Sequence, residues 1–137
     1  MCAPGAYVML CVATATIMFD EVNQLSADGV DEFRFHSFDG SRLVLIGSFD
    51  LSYYHDVEVT FTEVAFIRCP TYIRGPKFCE AGKGEDGTRF EIATDEGTFE
   101  IVAESAAVAV GKVYHYDRGE QLQPGERIAP WVKRSDT

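Results

Sequence analysis

The sequence predicts a mostly β protein: a single-domain antiparallel β-sandwich or partly closed β-barrel with one short N-terminal helix. Apolar and polar residues alternate in several short runs, as in Phe33 and Phe35 against Glu32, Arg34 and His36. Turn residues separate these runs at spacings of about ten residues, which suits hairpins better than strand-helix-strand units. Ten Phe and six Tyr favour pleated sheet over disorder. A chain of 137 residues is one domain by length and buries a core of its own. The expected organisation is an apolar N-terminal segment over 1–18, either strand or extension, followed by one β-rich domain over 19–137.

Within the N-terminal segment, Ala6 to Val12 is apolar enough for a signal-peptide core, and Ala13-Thr14-Ala15 has the small residues of a cleavage site. No basic residue precedes it, the first being Arg34, and the run is too short and Thr-rich for a membrane span. Its Val, Ile, Thr and Tyr content points to a buried strand through Phe19, against the alternative of an extension before a domain starting at Met18. Phe19 to Ala27, with Phe19, Val22 and Leu25 on one side, reads as a helix of at most two turns closed by Asp28-Gly29.

Three antiparallel strands follow at about 30–38, 42–52 and 56–69, the first two joined by the tight turn Phe38-Asp39-Gly40-Ser41. The third alternates on Val57, Val59 and Phe61, then slips by one residue and resumes on Val64 and Phe66, which predicts a β-bulge near Thr62 and Glu63. From Pro70 to Thr88 the glycines and prolines are dense enough to predict one long loop. Residues 88–94 and 98–103 form a hairpin across Asp95-Glu96-Gly97, and 106–116 a further strand bent at Gly111. The end of the chain is a turn-rich tail containing Pro124-Gly125, with Trp131 expected to anchor it on the sheet.

The net charge is −10, and Glu80 to Glu104 holds eight acids against Lys83 and Arg89. Such a surface excludes nucleic acid as the expected ligand, because phosphate neutralisation needs clustered Lys and Arg. It suits a basic protein partner instead. A small counter-patch lies at Arg68, Arg74 and Lys77. No membrane partner is expected, and a cytoplasmic location follows, with export left open by the apolar N-terminal segment. Cys2, Cys11, Cys69 and Cys79 lack the paired spacing of zinc or redox motifs, and without a clear export signal all four are expected reduced. A Cys69 to Cys79 bridge is the expectation only for an exported chain.

The densest run of functional side chains is Tyr53-Tyr54-His55-Asp56, read as the turn between the second and third strands. With Tyr72, His115, Tyr116 and Asp117 it makes up the candidate binding site. At least one ring of the adjacent tyrosines is expected to be exposed, since both cannot bury on one side of a sheet. Two His and a carboxylate can bind a metal, and a His held by an Asp can act as a base, but neither spacing is diagnostic. The plainer reading puts all three histidines at surface or rim turns. No nucleophile elbow, catalytic cysteine signature or phosphate loop is present, so no catalytic residue, metal or cofactor is expected. In size and acidity alone the chain resembles small inhibitor or immunity proteins. The leading expectation is thus a non-enzymatic binding module presenting an acidic, Tyr-bearing surface. The alternatives are a small-molecule-binding β-barrel and a metal-dependent His/Asp enzyme.

Overall fold

Phenylalanine rings fill the space inside one strongly curled sheet. The structure is a computed structural model that describes residues 14–116 and 122–132. Helix α1 spans Thr14–Ala27, and the strands are β1 Glu32–Phe38, β2 Leu43–Ser48, β3 Tyr54–Arg68, β4 Tyr72–Arg74, β5 Lys77–Gly84, β6 Gly87–Thr94, β7 Gly97–Tyr114 and β8 Arg127–Ile128. Their order is β4-β1-β2-β3-β7-β6-β5, antiparallel throughout, with β8 added parallel to β7. The end strands β4 and β5 are consecutive in sequence, separated by Gly75-Pro76 alone, so the sheet curls into a half-barrel. Phe33 of β1 lies 5.7 Å from Phe78 of β5 across that curl.

Inside, Phe19 of α1 stacks on Phe78 at 5.6 Å and meets Phe90 edge-on at 5.8 Å, while Phe90 also touches Phe61 at 5.3 Å. Edge-to-face and offset rings at these distances add to the gain from burial. The helix also covers the exposed edge of the sheet. The Asn23 side-chain amide donates to the Phe78 carbonyl and accepts from the Phe78 N–H, both at 2.8 Å, as a neighbouring strand would. Asn23→Ala is therefore expected to cost about 2 kcal/mol, because both backbone groups lose their partner. Urea unfolding reads this loss, and a change below about 0.5 kcal/mol would show that the edge is satisfied otherwise.

Several expectations need correction. Thr14 to Phe19 is helical rather than strand, and α1 runs 14 residues rather than two turns, because its packing on the Phe cluster extends a weak local pattern. The reading of residues 1–13 lies outside the described residues. Residues 70–88 are not one loop but hold β4, β5 and the start of β6. Their glycines serve a two-residue hairpin, Glu85-Asp86 between the paired Gly84 and Gly87, and a bulge between Glu80 and Gly82. Gly87 has φ 131°, and a Cβ there would come within 2.8 Å of the Ala103 carbonyl oxygen. The expected strands 98–103 and 106–116 are one strand, β7. In β3, Glu63 takes φ 56° and the register against β7 shifts between Val64 and Phe66. This double irregularity sends Val64 and Ile67 toward the core and leaves Phe66 exposed. Cys79 is disulfide-bonded, against the expectation of four thiols. Cys69 is free, so the two do not bridge each other, and burial pushes its thiol up to about 11, which makes it inert.

Candidate functional site

The connection between β2 and β3 sits earlier than the sequence suggests. Ser48 Oγ accepts from the Asp50 N–H, and Asp50 Oδ1 accepts from the Ser52 N–H, both at 3.0 Å. These local bonds take the backbone donors that would have continued β2. Only Tyr53 of the expected turn is in the connection. Tyr54, His55 and Asp56 open β3, where Tyr54 pairs with Tyr114 and His55 with Val113.

Tyr53 is 58% exposed, as at least one of the adjacent rings was expected to be, and lies edge-on to Tyr116 at 6.3 Å. Tyr116 in turn meets Tyr114 at 5.7 Å, and Tyr114 meets Tyr54 at 6.2 Å. The Lys112 ammonium sits 4.3 Å over the Tyr54 ring and 3.7 Å from Asp56 Oδ1. Asp56 Oδ2 is buried without a hydrogen-bond partner among the described residues, and this desolvation raises its carboxyl above the usual range. Tyr72 lies elsewhere, on β4 at the far edge of the sheet beside an open cleft of about 310 Å³ formed with Asp31, Arg74 and the Asp95-Glu96 turn. Asp117 lies outside the described residues.

All three histidines of the chain converge on its single Trp. His55 is only 1% exposed, so it is a core residue and not a rim histidine. Its Nδ1 is 2.8 Å from His115 Nε2, and its Nε2 is 2.8 Å from Glu58 Oε2. Glu58 Oε2 also accepts from the Arg127 guanidinium at 3.0 Å. His36 is the extra residue where β1 bulges against β2, between Phe35 and Ser37. Trp131 lies over His36 at 4.4 Å, His115 at 5.5 Å and His55 at 6.4 Å. The tail is thus anchored by Trp131 as expected.

Ring protons in this chain of bonds can be placed from the partners. The Leu51 carbonyl, 3.2 Å from His115 Nδ1, only accepts, so His115 donates there and offers Nε2 as an acceptor to His55 Nδ1–H. Glu58 and His115 then both present acceptors to His55, and every contact is satisfied when His55 carries a proton on both nitrogens. The bond from His55 is the main reason the Glu58 carboxyl lies below its usual range. Burial, then the neighbouring His55 charge, lowers His36 and His115 below the ordinary 6.5.

Glu58, Arg127, His36 and Trp131 are members that the sequence reading did not assign to the site. Glu58 follows His55 by three residues, a spacing that in a regular strand separates two side chains onto opposite faces, so the pattern carried no signal. Both ring nitrogens of His55 and His115 are engaged, and among the described residues no three His, Cys, Asp or Glu come together to hold a metal. Among them, too, no helix is long and apolar enough to cross a membrane. Comparison with protein families, with curated proteins and with solved structures finds no match.

Proposed function

We propose that the protein is a non-enzymatic binding module that engages a basic protein partner through the aromatic end built by Tyr53 and Tyr116. The observation that carries this reading is the exposed Tyr53 ring set edge-on to Tyr116, on a scaffold held by the Tyr114 and Tyr54 contacts beneath. Rigid, half-exposed tyrosines give large contact area at low entropic cost. The net charge of −10 favours a basic partner over an anionic one and over nucleic acid or an anionic membrane surface. A ligand inside the half-barrel is the weaker reading, since Phe19, Phe33, Phe61, Phe78 and Phe90 already occupy that space. The disulfide at Cys79 favours an oxidising compartment over the expected cytoplasm.

A photo-crosslinking phenylalanine at position 53 identifies the partner in source extract, and the purified pair is then measured directly. Tyr53→Ala weakens this complex about tenfold or more, as expected for an interface anchor, while the melting temperature stays within a few degrees. At about 1 M salt the complex weakens further, because exposed charge pairs are screened over about 3 Å. An affinity unchanged by both the substitution and the salt overturns the reading.

A further inference from the structure

We propose that segment 122–132 is an acid-released strap, held across the outer face of the sheet at neutral pH and freed when His115 takes up a second proton. The segment has three attachments. A turn at Pro124-Gly125 brings Glu126 Oε2 within 3.2 Å of the Tyr114 hydroxyl, which donates to it. β8 then pairs with Val113 and Tyr114 of β7, with the Ala129 N–H donating to the Tyr114 carbonyl at 2.8 Å, while Arg127 reaches Glu58. Last, Trp131 covers the three imidazoles and is itself 47% exposed. Two paired residues make a very short strand, and Arg127 and Trp131 add side-chain contacts to the histidine cluster.

Charged and titratable groups meet at this cluster from every element around it. β1 brings Arg34 and His36, β3 brings His55 and Glu58, His115 follows β7, and the strap brings Glu126 and Arg127. Asp56 and Lys112 pair with each other alongside. A proton on His115 Nε2 turns the bond from His55 Nδ1–H into two facing N–H groups 2.8 Å apart. It also adds a cation beside His55, Arg34 and His36, with Glu58 already shared between two donors. Trp131 lies over all three imidazoles and belongs to the strap, so the strap is the part of the cluster that gives way.

The sign follows from the lowered values of His115 and His36. The attached state binds fewer protons than the released one, so attachment is complete above the ordinary 6.5 and is lost as pH falls from there through the lowered values. Trp131, the single Trp, reports the strap directly. Titration of the full chain from about pH 7.5 to 5 is expected to shift its emission to the red and to raise acrylamide quenching about twofold. Far-UV circular dichroism stays constant over the same range. Imidazolium quenching alone changes intensity without either a red shift or better acrylamide access.

His115→Gln keeps an acceptor for His55 and removes the titration, so its Trp131 signal is expected to stay flat. If that variant does not fold, the protection of the Ala129 amide in the unaltered chain, corrected for intrinsic exchange, gives the same answer. It is expected to fall at least tenfold across the range. The proposal is overturned by a flat Trp131 signal in the unaltered chain, by a transition retained in His115→Gln, by unchanged Ala129 protection, or by loss of the whole fold in the same step.

Discussion

His55→Ala is expected to lower stability by about 2–4 kcal/mol, although the residue stands in a stretch that reads in sequence as a surface turn. The ring is 1% exposed and joins His115 to Glu58, so its removal opens a cavity and strips a partner from both. The loss is held below that of a fully buried ion pair because Glu58 keeps Arg127. For a domain of this length the midpoint of thermal unfolding falls by roughly 8–16 °C. His55→Phe separates the two contributions, since it keeps a ring in the cavity but makes neither bond. A His55→Ala protein melting within about 2 °C of the parent would show that these bonds contribute nothing net.

Phe90→Ala carries the second large effect, about 3–5 kcal/mol, the usual cost of truncating a buried aromatic. Phe90 is one of the two rings on which Phe19 of α1 packs, and it joins that ring to Phe61 of β3. The cavity cannot collapse easily, because its walls belong to the helix and to two strands separated by β7 or paired with it. A loss of this size is a large share of the 5–15 kcal/mol available to an ordinary domain. Guanidinium unfolding measures it, with the helical signal and the sheet signal expected to disappear together. Loss of helix alone, at unchanged sheet stability, would show that α1 is docked only loosely.

Strand content and the curled sheet were legible in the chain because alternation survives in Val57 to Phe61 and Thr88 to Ile92, and because Leu43 to Ile46 is a short continuous apolar run of the kind that fills a buried strand. What was hidden has physical causes. Glycines at 82, 84 and 87 look like a loop when read by density, yet they serve one bulge and one hairpin turn of an edge strand, where short side chains are tolerated. α1 is longer than its pattern because the Phe cluster, assembled from residues distant in sequence, supplies its stability. At the site, Tyr53, Tyr54, His55, Asp56, His115 and Tyr116 do gather at one end of β3 and β7, since those strands pair there. Tyr72 does not, because four strand steps separate β4 from β7. His36, Glu58, Arg127 and Trp131 join His55 through a bulge and a returning segment, neither of which leaves a periodic mark.

One arrangement organises the site: a doubly bonded His55 that holds His115 on one side and Glu58 on the other, beneath Trp131. A long-range proton–nitrogen correlation spectrum of the histidine rings, recorded at about pH 6.5 to 7, reads it directly. The arrangement predicts a proton on Nδ1 alone of His115, whose Nε2 accepts from His55 Nδ1–H, with ring-current shifts from Trp131 on His36 and His115. A His115 ring carrying its proton on Nε2 would contradict it.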